Sequence, residues 1–374
     1  MRGVVCAALV LAASFMLWGR AARTSAQGPP AGDMPVEQTR KNIQVLKGLP
    51  ESQLFPEMNF IATSLGVQCG FCHVNKGRDP QTGQTQWVWE SDEKEEKKIA
   101  RDMMRMVLTV NKGDFGLSRG QVTCYTCHRG QDHPQSLPEL PLPAPSRGPA
   151  RDGADAPRPE QPTVQQVFDK YVAAVGSPEA VKQFQTQSLK GNAVTLGRSQ
   201  PYEVFFKAPD KFLFVLQGSR VKVAHVGDTG WAEIGGRARI HTAAESAEAK
   251  RIGETLPLVK FTPSATMRVA GRRKVGERDA VVVVDRLSEA LQRRYFFDAE
   301  TGLLLRVVTL RDAILNQIPT QVDFEDYRDV DGVKMPFTVR VSSVVPSENQ
   351  TRTVTDVKPG VPIDDKIFDM PTQQ

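Results

Sequence analysis

Apolar positions along the chain change period several times, and each change predicts a different element. An almost unbroken apolar run from Val4 to Trp18 follows Met1 and Arg2, and Thr24-Ser25-Ala26 comes after it. Charged start, apolar centre and small-residue end are the order of a secretory signal. The run is shorter than the ~20 residues that span hydrocarbon, so residues 1–26 are expected to be cleaved after Ala26. Cys6 lies inside the run and not beside the cleavage site, which argues against a lipid-bearing N-terminal cysteine.

A helical period follows. From a Ser52 cap to Gly66, the residues Leu54, Met58, Ile61 and Leu65 share one face. A second helix is expected from Ser91-Asp92, with Lys97, Lys98 and Arg101 on a solvated face and Ile99, Met103, Met106, Val107 and Val110 as the core stripe. Met104 and Leu108 fall to one side of that stripe. Leu137 to Pro162 is crowded with proline and reads as a linker, since proline removes a donor and favours extended backbone.

Beyond the linker one amphipathic helix, Thr163 to Val175, carries Val164, Val167, Phe168 and Tyr171 on a face and stops at Gly176. Short apolar runs then predict strands, among them Tyr202 to Phe206, Phe212 to Leu216, Val281 to Val284, Arg294 to Phe297 and Leu303 to Val308. Their Gly- and Asp-rich connections make an antiparallel meander, interrupted by a helix over Ala243 to Ile252.

Composition alters this picture little. The 374 residues are 40% hydrophobic and 24% charged, with 48 basic and 43 acidic side chains. Arg2, Arg20 and Arg23 stand in the signal with no acid beside them, so the remainder is close to balanced, which argues against nucleic acid as a partner.

The cysteines carry the chemistry. Apart from Cys6 they form Cys69-Gly70-Phe71-Cys72-His73 and Cys124-Tyr125-Thr126-Cys127-His128, two copies of the c-type haem attachment pattern. Two residues between thiols let both sulfurs reach the vinyl groups of one porphyrin, and the following histidine supplies an axial nitrogen. A four-thiolate zinc site needs no histidine after each pair, and paired disulfides need none either. Two covalent haem c groups are therefore expected, with His73 and His128 on iron. An electron-transfer haem wants a second axial ligand, which Met58 offers the first iron; periodicity does not choose between Met103 and Met106 for the second. His133 is the alternative there. Arg129 and Arg78 are candidates to pair with haem propionates, and Trp87 and Trp89 are read first as ordinary core, with packing over a haem as the alternative.

Asn42 to Gly130, with Val45-Leu46-Lys47-Gly48, Leu65-Gly66-Val67, Ala100-Arg101-Asp102-Met103 and Val122-Thr123-Cys124-Tyr125-Thr126-Cys127-His128-Arg129-Gly130, resembles the cytochrome c subunit of photosynthetic reaction centres. The resemblance implies a helix-borne methionine ahead of each motif and places the second ligand on Met103. That subunit usually carries four haems, and this chain has two motifs. Farther on, Phe324-Glu325-Asp326-Tyr327, Val330-Asp331-Gly332-Val333-Lys334-Met335-Pro336 and Ile363-Asp364-Asp365-Lys366-Ile367-Phe368 resemble the outer-membrane lipoprotein carrier (LolA-like) superfamily. That likeness implies a curved sheet folded around helices as a half-barrel with an apolar cavity; a lipid or lipoprotein ligand there and a role in only orienting the cytochrome on a partner both stay open.

The sequence thus describes an α+β chain of two domains: a mainly helical dihaem cytochrome over 34–135, a linker over 136–162, and an antiparallel β half-barrel with helices over 163–374. The expected role is single-electron transfer in the periplasm or outside the cell, free or membrane-associated. Its partners would be redox proteins such as a membrane reaction centre or a respiratory complex. The rivals are a dihaem peroxidase, which opens one iron, and a redox-sensing scaffold.

Overall fold

The computed structural model describes residues 34–113, 122–135, 137, 161–218, 221–241, 246 and 261–371. The signal segment, nearly all of the linker and, apart from Ser246, the Ala243 to Ile252 helix lie outside the described residues.

The N-terminal part contains four helices: α1 (Val36–Thr39), α2 (Glu51–Leu65), α3 (Glu95–Lys112) and α4 (Cys124–His128). A small hairpin pairs β1 (Val74–Arg78) with β2 (Thr85–Val88). Two helix starts differ from the sequence reading. α2 begins at Glu51, whose N–H bonds Met34 O at 2.9 Å, so a backbone bridge does the work expected of Ser52. α3 begins at Glu95 without a side-chain cap, because Asp92 turns instead to Lys97 and Arg101. Gly66, at φ +68°, closes α2 in the left-handed conformation that glycine takes without cost.

α2 and α4 meet backbone to backbone. Gly130 N–H bonds Ser64 O at 2.8 Å, and a Cβ on Gly66 would fall 2.1 Å from Gly130 O. This close approach brings the chain following the second haem motif onto the helix that precedes the first.

The C-terminal part opens with α5 (Val164–Val175), capped by Thr163 Oγ1 accepting from Gln166 N–H, and α6 (Pro178–Lys182). One antiparallel meander follows: β3 (Thr186–Thr195), β4 (Arg198–Lys207), β5 (Lys211–Leu216), β6 (Val221–Val226), β7 (Thr229–Ile234) and β8 (Arg237–Ile240). A second comprises β9 (Met267–Val275), β10 (Arg278–Ser288), β11 (Leu291–Asp298), β12 (Leu304–Asp312), β13 (Gln317–Val330), β14 (Val333–Ser343) and β15 (Gln350–Pro359). β15 pairs with β3, so the two meanders make one open sheet of 13 strands in the order β8-β7-β6-β5-β4-β3-β15-β14-β13-β12-β11-β10-β9. The α+β class is the one expected.

The sheet is curved. α5 touches both β14 and β9, which are separated by five strand spacings, ~24 Å along a flat sheet, whereas a helix is ~10–12 Å across. A sheet bent around the helix accounts for both contacts, and α5 shares one buried cluster with residues from β3, β5, β11, β13 and β15. Phe168 and Tyr171 from α5, with Phe261, Tyr295 and Phe297, fill the concave side in stacked and edge-on pairs. A smaller cluster forms where Phe368 covers Leu213, Ala224 and Trp231, and Trp231 Nε1 donates to Phe368 O at 2.7 Å.

A third cluster joins the two parts. Val36, Leu46, Leu49, Ile61 and Val107 pack against Ala313, Leu315 and Ile318 from the β12–β13 hairpin. Among the described residues no helix is long and apolar enough to cross a membrane.

Candidate haem sites

The first motif folds as a tight 3-10 turn, Cys69–Phe71, and His73 N–H bonds Cys69 O at 2.9 Å. This turn points Cys69, Cys72 and His73 into one cavity of about 600 Å³, which Met58, Arg101 and Met104 also line. The cavity therefore gathers two thiols, an imidazole and the thioether expected as sixth ligand. His73 Nδ1 lies 3.3 Å from Trp89 O. A ring whose Nδ1 is committed to a carbonyl presents Nε2 to a metal, the usual orientation of a ligating histidine. Burial, with Lys97 beside it, holds the His73 imidazole below its ordinary value and so favours the neutral form that binds iron. Trp89 meets His73 edge-on at 5.0 Å and lines the cavity, and Trp87 stacks on Trp89 at 4.8 Å.

The charge run on α3 is a solvated face only in part, since Lys98 is exposed and two of its cations are not. Lys97 and Arg101 are buried, and Arg101 points into the cavity. Lys97 Nζ donates to Trp89 O and Ser91 O, each at 2.8 Å, and both cations reach Asp92, at 3.3 and 2.9 Å. Asn42, then Arg101 and Lys97, hold the Asp92 carboxyl down at about 2. Lys97 thus fixes the carbonyl that orients His73. The spacing 97, 101, 104, 108, one helical stripe ending in Met104 and Leu108, was the available signal.

The second motif is α4 itself. Thr126 Oγ1 accepts from Thr123 N–H at 2.9 Å, and the helix ends at Arg129 with φ +50°. His128 Nδ1 lies 2.9 Å from Gln131 O, which leaves Nε2 for a metal here too. On α3 the stripe expected to face the core divides. Val107 is buried, whereas Ile99, Met103 and Met106 are 53%, 42% and 47% exposed. Ile99, Met103 and Met106 lie four and three residues apart, so they form one exposed apolar stripe on the surface of α3. Met103 and Met106 are equally uncovered. Arg129 and Arg78 are exposed and line no described cavity, and His133 is exposed beside Asp132. All four motif cysteines are free thiols, and burial, with Glu57 nearby, pushes the Cys124 thiol up to about 11.

Glu57 is fully buried on α2, and burial pushes its carboxyl up to about 7. Asn316 Nδ2 donates to its Oε1 at 2.6 Å. Glu57 Oε2 and Asn316 Oδ1 are buried with no hydrogen bond of their own, and the Asn316 amide also lies against the Cys124 thiol of the second motif. One proton on Oε2 facing Oδ1 would complete a cyclic acid–amide pair and satisfy both oxygens.

The comparisons with known proteins divide at the same place as the fold. Residues 24–141 match the family model of the photosynthetic reaction centre cytochrome C subunit. The chain is 30% identical over 111 residues to the photosynthetic reaction center cytochrome c subunit of Thermochromatium tepidum, a match covering 29% of this chain and 24% of that protein. It is 33% identical over 111 residues to cytochrome c-554 of Chloroflexus aurantiacus, covering 27% and 24%. The chain thus spans about a quarter of the length of these relatives. Over its C-terminal part it is similar to a solved DUF1329 family protein from Desulfovibrio piger (12% identity, TM-score 0.41, 55% of this chain and 97% of that one). It is also similar to a LolA superfamily protein from Nitrosomonas europaea (10%, 0.38, 56% and 98%). The N-terminal third is therefore cytochrome c-like, which implies covalently bound haem.

Proposed function

We propose that the chain is an exported dihaem c-type cytochrome that passes single electrons between redox proteins of the periplasm or membrane and makes or breaks no substrate bonds. The observation that carries this reading is the repeated histidine geometry: in both motifs Nδ1 is engaged by a backbone carbonyl and Nε2 is left for iron. Bound haem supplies a one-electron iron couple. The chain's residues do the remainder. Cys69 and Cys72, and Cys124 and Cys127, fasten the two porphyrins. Met58 and Met103 complete the axial pairs with His73 and His128, and methionine beside histidine raises the reduction potential. Arg101 places a buried cation in the first cavity, where a propionate would meet it.

Protein matured with haem-attachment machinery should gain the mass of two haems and keep both after denaturation. Its oxidised form should show the near-infrared sulfur-to-iron band, and Met58→Ala and Met103→Ala should each remove about half of it. A loss on Met106→Ala in place of Met103→Ala would move the second ligand. A five-coordinate iron in either redox state would favour the peroxidase. We assign the C-terminal sheet a binding role, toward a lipid or lipoprotein, tested by retention of labelled lipid on the intact chain.

A further inference from the structure

The loop joining β12 to β13 reads Ala313-Ile314-Leu315-Asn316, apolar where an exposed hairpin carries Gly, Asn, Asp or Ser. Leu315 and Asn316 are each 1% exposed, because the loop is driven into the cytochrome. Its polar contact falls on Glu57, the residue next to Met58. Pro56 precedes them both inside α2, and a proline there cannot donate to Ser52 O, so the backbone ladder lacks a bond in the turn leading to Met58. That turn is held by what packs on it from outside.

Resting on the dihaem reading, we propose that Asn316 is a positioning residue: through Glu57 it fixes the weakened turn of α2 and thereby keeps Met58 directed into the first haem cavity, so that the C-terminal sheet governs the ligation of the first iron. Three observations converge on it. Asn316 Nδ2 reaches Glu57 at 2.6 Å across 259 residues of sequence. Ala313, Leu315 and Ile318 pack with Ile61 of the same helix. Met58 lines the cavity that holds Cys69, Cys72 and His73.

The test uses the full chain carrying its haems. Mass is read first, and a chain without two haems defeats the dihaem reading independently of this proposal. In Met58→Ala, an undiminished sulfur-to-iron band likewise defeats Met58 ligation itself. With both in place, Asn316→Ala is expected to lose up to about half of the band and to lower one midpoint potential, as the first iron loses its sulfur. Adding Met58→Ala to it should remove no more. Glu57→Gln keeps an oxygen that accepts from Asn316 Nδ2, so it should retain more of the band and of the potential than Asn316→Ala does. An intact band and unchanged potentials in Asn316→Ala overturn the proposal, and so does a Glu57→Gln loss as large as that of Asn316→Ala. Should Asn316→Ala fail to accumulate, Asn316→Ser, which leaves a smaller void, is read by the same criteria.

Discussion

At the scale of single residues, Lys97 has more structural work than its position in a charge run implies. Its ammonium is shared among Trp89 O, Ser91 O and Asp92, and the side chain is 11% exposed. Removing one partner of a buried pair leaves the other charge uncompensated, which costs ~3–5 kcal/mol when burial is complete. Asp92 is only partly covered, so Lys97→Met is expected to cost ~2–4 kcal/mol in urea unfolding. Lys98→Met, on the exposed side with only an i,i+3 partner in Glu95, should change stability by less than ~0.5 kcal/mol. Equal effects would show that the buried cation holds nothing. The iron histidines and the cysteines were legible because covalent chemistry dictates their spacing. Lys97 and Arg101 were not, since a charged stripe looks alike whether it meets water or a carbonyl-lined pocket.

At the scale of elements, the helix faces were partly legible. The α5 face was read correctly, since Val167, Phe168 and Tyr171 are buried there, and the strand runs fall inside the strands observed except at Leu303, one residue ahead of β12. The α3 face was misassigned because the helix has two apolar directions, toward the cluster at Val107 and toward the surface at Ile99, Met103 and Met106. A cofactor acts as core, and a sequence pattern does not distinguish a side chain packed on porphyrin from one packed on protein. The junction of α2 with the loop after α4 is sharper still. Gly66→Ala would set a Cβ 2.1 Å from Gly130 O at a positive φ, so backbone must move. We expect more than ~2 kcal/mol of lost stability, beyond the ~1 kcal/mol that alanine costs at an open left-handed site. Gly77→Ala, at φ +93° with nothing within 4 Å, isolates that smaller cost. Thermal unfolding of the two variants separates strain from collision.

At the scale of the whole molecule, the proline-rich segment led to the expectation of two independently folding units, with haem spectra surviving loss of the C-terminal half. The structure shows that the two parts touch, since one hydrophobic cluster takes residues from α2, α3 and the β12–β13 hairpin, and we expect that contact to couple their stabilities. No local pattern announces such a contact. Ala313 to Asn316 is an unusually apolar link between strands, and that character acquires meaning only when Glu57 and Ile61 are found beneath it. Separating the halves would uncover part of this cluster, at roughly 1.5–3 kcal/mol for each large side chain fully re-exposed. Cleavage within the linker is therefore expected to leave the two fragments associated on size exclusion, while the isolated cytochrome fragment melts at a lower temperature than the nicked complex. Leu315→Ala, which opens a cavity at the centre of the contact, should cost ~2–5 kcal/mol and weaken that association. Fragments that part freely after the cut, each melting as it does in the intact chain, would return the molecule to two separate cores and remove the hairpin's hold on α2.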